Sequence, residues 1–172
     1  MREIKLFKIE LPNKSSVYIE QRTYRIWLGN ETRRSFSNIK EAKHFLTETN
    51  RFLNEKLFEL NYLYTVAFSE YRKVWFYLSD NYQTKRIEDK INECFAFMDK
   101  MFTNAGTRSE TINGNYFVFN YLFAICEQLM MVFDKLIEVH VHRNYFADIK
   151  TVSSFKVRVE TILKEIKDFG KS

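Results

Sequence analysis

Three histidines, two cysteines and one glycine-containing segment are the groups in this 172-residue chain whose types and spacing bear on chemistry. His140 follows Phe133 and Ile137 at helical spacing, which predicts a hydrogen-bonded histidine in the core or at its boundary. His142 shares a helix face with Glu138 and Asp134, four and eight residues before it, an arrangement that binds a cation only when a second helix adds ligands. The alternative is a solvated acidic face near a helix C-terminus, where a histidine complements the dipole. His44 stands apart from both. Carboxylate-bridged metal bundles need Glu-x-x-His on two helices, and Glu138 is followed at that spacing by Val141. Cys94 and Cys126 lie on apolar stripes with no adjacent histidine or activating base, and neither belongs to a zinc-spaced cluster. They read as buried thiols. Gly106-Thr107-Arg108-Ser109 offers backbone and a guanidinium to a phosphate but lacks the Walker lysine, so a connector is expected there. No catalytic residue, metal or cofactor is expected from these groups.

The elements that would position them follow from periodicity. Seventeen phenylalanines against four glycines and one proline favour long uninterrupted helices around a bulky core. Before residue 37 the period is two. Ile4 to Leu11, Val17 to Ile19, Tyr24 to Leu28 and Arg33 to Phe36 alternate between turn-forming stretches, which predicts a small antiparallel sheet. At Ser37-Asn38 the period becomes helical, and Asn38 with Glu41 matches a capping box. Helices are predicted near 38–79, 84–103, 116–143 and 148–169, with a long loop from Thr103 to Asn115. Their apolar stripes include Leu53, Leu57, Leu60, Tyr64, Ala67, Tyr71 and Val74 in the first, Ile91, Cys94 and Met98 in the second, Cys126, Leu129 and Phe133 in the third, and Val152, Val159, Ile162 and Ile166 in the fourth. The first helix would be roughly 60 Å long at ~1.5 Å per residue. The predicted class is therefore α+β, mostly α: a sheet over 1–37 and a bundle of about four helices over 38–172, in one integrated domain.

Charge is uneven along the chain. Residues 1–50 hold ten basic and six acidic side chains, whereas the rest is nearly balanced. No stretch is apolar enough for a membrane span or a signal core, and two cysteines make no disulfide framework, so a cytoplasmic, reducing compartment is expected.

Residues 17–53 carry a resemblance. Short strands, Arg33-Arg34 before Phe36, and then Ser37-Asn38-Ile39-Lys40-Glu41-Ala42-Lys43-His44-Phe45-Leu46 are similar to the arm-type, AP2-like DNA-binding domain of phage-type tyrosine recombinases. The resemblance covers about a fifth of the chain. It implies a sheet entering the major groove of double-stranded DNA, with Arg22, Arg25, Trp27, Arg33 and Arg34 as the contacting positions. The other reading of these residues buries Trp27 and Tyr18 beneath the later helices and leaves the arginines at the rim. No recombinase catalytic domain follows.

Two functions are therefore expected, both non-enzymatic. One is a nucleic-acid-binding accessory protein of phage or mobile-element type. The other is a structural or assembly protein, a homo-oligomer or the partner of another protein, associating through aromatic-rich helices. Tyr62, Phe76, Tyr77, Tyr82 and Tyr145 are the exposed aromatic candidates for that role.

Overall fold

The computed structural model describes residues 40, 41, 44, 47–49, 51–78, 85–105 and 120–169, together with the helical backbone that runs through them. Four helices make up the fold: α1 (Ile39–Asp80), α2 (Lys85–Arg108), α3 (Gly114–Arg143) and α4 (Phe146–Asp168). The 42 residues of α1 contain no glycine or proline, so nothing interrupts its hydrogen-bond ladder over roughly 63 Å. Glu41 and Glu88 sit in the first turns of α1 and α2, and His140, His142 and Arg143 in the last turn of α3, where each complements the helix dipole when charged.

The pairings fix an up-down-up-down order. Tyr64 meets Asp99 and Tyr71 meets Asn92, so residue numbers rise along α1 as they fall along α2. Phe52 stacks on Phe169 at 4.2 Å between ring centroids, and Arg158 lies over Tyr62, so α4 also runs against α1. The ends of α1 and α3 meet instead, with Tyr77 beside His142 and Arg143. α3 packs against all three other helices. Its core residues Leu122, Ile125, Leu129, Val132, Phe133 and Leu136 are all fully buried.

The turn between α3 and α4 is tight. Asn144 takes φ 60°, a left-handed conformation that asparagine tolerates better than most residues. It donates its N–H to the Val141 carbonyl, and the Tyr145 N–H donates to the carbonyl of His140 at 2.9 Å. Two ion pairs tie α4 in place: Lys156 to Asp134 of α3 at 2.6 Å, and the buried Lys56 of α1 to Glu165.

This architecture corrects the predicted class. The part described with its side chains is an all-helical bundle rather than α+β with an N-terminal antiparallel sheet. The physical reason lies in the core. Four helical faces close it without help, because α1 buries a broader face than the stripe read from sequence, adding Lys56, Leu63 and Glu70. Residues 1–37, to which the sheet was assigned, lie outside the residues described with their side chains. A second correction concerns the loop predicted from Thr103 to Asn115. α2 continues to Arg108 and α3 already begins at Gly114, so Ala105-Gly106 is helical backbone. A single glycine costs a helix only about 1 kcal/mol, which Ala105, fully buried, helps to offset.

Candidate interaction surface

The groups with chemical potential are mostly sequestered. Cys94 is buried between α2 and α3, 3.6 Å from the Met131 sulfur, and Cys126 is fully buried in α3. Burial pushes the Cys126 thiol up to about 12 and raises that of Cys94, so neither supplies a thiolate at neutral pH. The carboxylates near His142 are engaged elsewhere. Glu138 pairs with Lys135 at 3.3 Å and Asp134 with Lys156, while the His142 ring sits against Tyr77. Among the described residues no group of three His, Cys, Asp or Glu side chains is placed to hold a metal. His44 forms an exposed pair with Glu48, one turn along α1. Residues 106–109, with the phosphate-loop candidate, fall outside the described side chains.

His140 is 2% exposed, as its stripe predicts, but it is not hydrogen-bonded: neither Nδ1 nor Nε2 has a partner. Burial holds its pKa below the usual value. Asp148 opposes the shift, Arg143 reinforces it, and Glu70 and Lys73 of α1 repeat that opposition more weakly. Glu70 and Lys73 are themselves paired at 2.8 Å. The ring is a neutral imidazole that reaches no solvent, which makes it a poor acid-base group.

The outer face of α1 is different in kind. Phe58 and Phe76 are each 77% exposed, and Tyr62 is half exposed between them. Phe58, Tyr62, Thr65, Ser69, Arg72 and Phe76 follow one another at spacings of four, three, four, three and four. That alternation keeps them on one line along the helix, opposite the buried Leu60, Ala67 and Val74, and every one is exposed. Beside the line, Phe68, Trp75 and Arg72 border a cleft of about 420 Å³ that Tyr71 closes on α1 and Glu88 and Asn92 close on α2. Phe68 packs edge-on against Phe95 of α2, which anchors the flank of the stripe to the core. The geometry offers a ridge whose aromatic side chains, Phe58, Tyr62 and Phe76, are separated by Thr65, Ser69 and Arg72, a shape that can interdigitate with another helix.

Of the aromatic residues expected to be exposed, Tyr62, Phe76 and Tyr145 are so, Tyr77 is half-buried, and Tyr82 lies outside the described residues. Arg22, Arg25, Trp27, Arg33 and Arg34 also lie outside them. Sequence reasoning missed Phe58, Phe68 and Trp75, whose exposure shows only once the core-facing side of α1 is fixed.

No helix among the described residues is long and apolar enough to cross a membrane. No family model, curated protein or solved structure matches the chain.

Proposed function

We propose that this is a non-enzymatic interaction protein that associates with another helix through the outer face of α1. The observation that carries the reading is the exposure of Phe58 and Phe76 at 77% each, on one straight line with Tyr62. Full burial of a phenylalanine is worth about 1.5–3 kcal/mol, so two of them left in water are a sizeable reserve of binding energy. With Phe68 and Trp75 beside them, these side chains gather exposed aromatic surface on one side of α1, and such gathered apolar surface rimmed by polar residues is the mark of a protein interaction site. The cytoplasm is the compartment that suits two unpaired buried thiols. A second reading, contact with double-stranded DNA through Arg22, Arg25, Trp27, Arg33 and Arg34, rests on the basic excess of residues 1–50.

A photoreactive phenylalanine analogue in place of Phe76, in cells that make the protein, tests the first reading. A protein adduct is expected at that position and none from the same probe replacing Lys164 on the exposed side of α4. Absence of any protein adduct at Phe76 overturns the reading. Duplex DNA tests the second reading. A mobility shift at low salt that fades steeply as salt rises supports it, because phosphate contacts release counterions and apolar helix contacts do not.

A further inference from the structure

The line of exposed residues on α1 is longer than its aromatic part. Continuing toward the N-terminus at the same alternation of three and four reaches Glu55 and then Arg51, both exposed. From Arg51 to Phe76 the seam is roughly 38 Å long. Arg51, Glu55 and Arg72 form no ion pair with any described residue. Their order, basic then acidic, then aromatic, small, basic and aromatic, makes the seam asymmetric from end to end.

That asymmetry becomes complementary when the seam is laid against itself in the opposite direction. With a two-fold axis between Tyr62 and Thr65, each layer pairs unlike groups. Tyr62 faces Thr65, Phe58 faces Ser69, Glu55 faces Arg72, and Arg51 faces Phe76. Large residues meet small ones, a carboxylate meets a guanidinium, and the last layer sets a cation beside an aromatic ring. The parallel arrangement would put Arg51 on Arg51, Glu55 on Glu55, Arg72 on Arg72 and Phe58 on Phe58, stacking like charges and colliding rings. A closed two-fold interface requires this kind of self-complementarity, because the same patch serves both subunits.

We propose that the occupant of the outer face of α1 is a second copy of this chain, docked antiparallel through the Arg51–Phe76 seam. The proposal rests on the association reading and adds to it the partner and the orientation. Each dimer contains two Glu55–Arg72 layers and two Phe58–Ser69 layers. The seam lies opposite the core, so the bundle forms unchanged in each subunit.

Sedimentation velocity on the full chain, over a wide concentration range, gives the first test. The expected result is a monomer–dimer equilibrium. Glu55→Arg places like charges in two layers and should raise the dimer Kd about tenfold. Glu55→Arg with Arg72→Glu in the same chain should restore it, since the layers become Arg against Glu again. Orientation is read by cysteine cross-linking, for which the buried Cys94 and Cys126 are silent. The pair Phe58→Cys with Ser69→Cys should link two chains, because within one chain these positions are roughly 16 Å apart. Ser69→Cys alone should not. A dimer that Glu55→Arg leaves intact, or that Ser69→Cys links to itself, overturns the antiparallel pairing while the association reading stands. So does a monomer at every concentration whose Phe76 photoprobe captures a different protein. A photoadduct to residues 1–38 of the same chain overturns both.

Discussion

Replacing His140 with leucine should make the protein more stable, and more so as the pH falls. The neutral imidazole carries one donor and one acceptor, and both are buried without partners. A buried unsatisfied polar group costs about 1–3 kcal/mol, whereas an apolar group of similar volume at the same place costs nothing of the kind. After a repacking cost of up to about 1 kcal/mol among the side chains around residue 140, the net gain at neutral pH should be about 0.5–2 kcal/mol. For a chain of this length that is roughly 2–4 °C in Tm for each kcal/mol. The backbone bond from the Tyr145 N–H to the residue-140 carbonyl survives the change. The pH dependence follows from the lowered pKa. Below the ordinary value of 6.5 the unfolded chain binds a proton that the folded chain refuses. Wild-type stability therefore falls by up to about 1.4 kcal/mol per pH unit between 6.5 and the folded value, and the variant is spared that loss. Urea melts of both proteins between pH 7 and 5 measure the difference. A less stable His140→Leu protein, or a gap that does not widen toward acid, would refute the reasoning.

Other outcomes are as definite. Phe58→Ser with Phe76→Ser should leave the unfolding free energy within ~0.5 kcal/mol of wild type in urea melts at concentrations where both are monomers, since both side chains there stand in water, while abolishing dimer sedimentation at higher concentration. Leu63→Ala should cost about 2–5 kcal/mol by thermal denaturation, because Leu63 is fully buried in the face of α1 that includes two charged residues. Native thiol titration at pH 8 should label neither cysteine rapidly, and unfolding in denaturant should expose both. Tyr64→Phe removes the hydroxyl that donates to Asp99, and should destabilise the α1–α2 contact by about 1–2 kcal/mol in the same melts.

The helices were legible because their apolar spacing is regular. Ile91, Cys94, Met98, Val152, Val159, Ile162 and Ile166 are buried where the stripes put them. The stripe on α1 was too narrow for a physical reason. Lys56 and Glu70 are buried beside Leu63, and a charged residue read from sequence marks a solvated face. Lys56 escapes that rule because Glu165 and Glu59 more than reverse the effect of its burial, leaving its pKa above the usual value. Glu70 escapes it through Lys73. Gly106 marks the loop expected over Thr103 to Asn115, yet helix propensity is a weak local preference that packing overrides, and α2 runs on to Arg108. The sheet was inferred from period-two alternation, which describes residues 1–37 but carries no information about what closes the core. The proposed interaction surface is half legible in the sequence. Tyr62 and Phe76 stood out as aromatic, but the line joining them passes through Thr65 and Ser69, which nothing marks until the inward side of α1 is known.

From residue 120 to the end of α3 at Arg143, only Glu127, Asp134, Glu138, Val141 and His142 are exposed. A helix so nearly apolar has no stable solvated state of its own. During synthesis it leaves the ribosome when α1 and α2 can already pair antiparallel, but before α4 exists to cover its other side. For that interval the nascent chain presents Leu129, Val132, Phe133 and Leu136 to the cell, the kind of surface that holdase chaperones bind and that drives aggregation. Chains stalled on the ribosome by a C-terminal extension, at the length where α3 has cleared the exit tunnel and α4 is still inside it, are therefore the point at which chaperone dependence should peak. The dependence should vanish once Val152 and Val159 have emerged, because α4 supplies the missing wall.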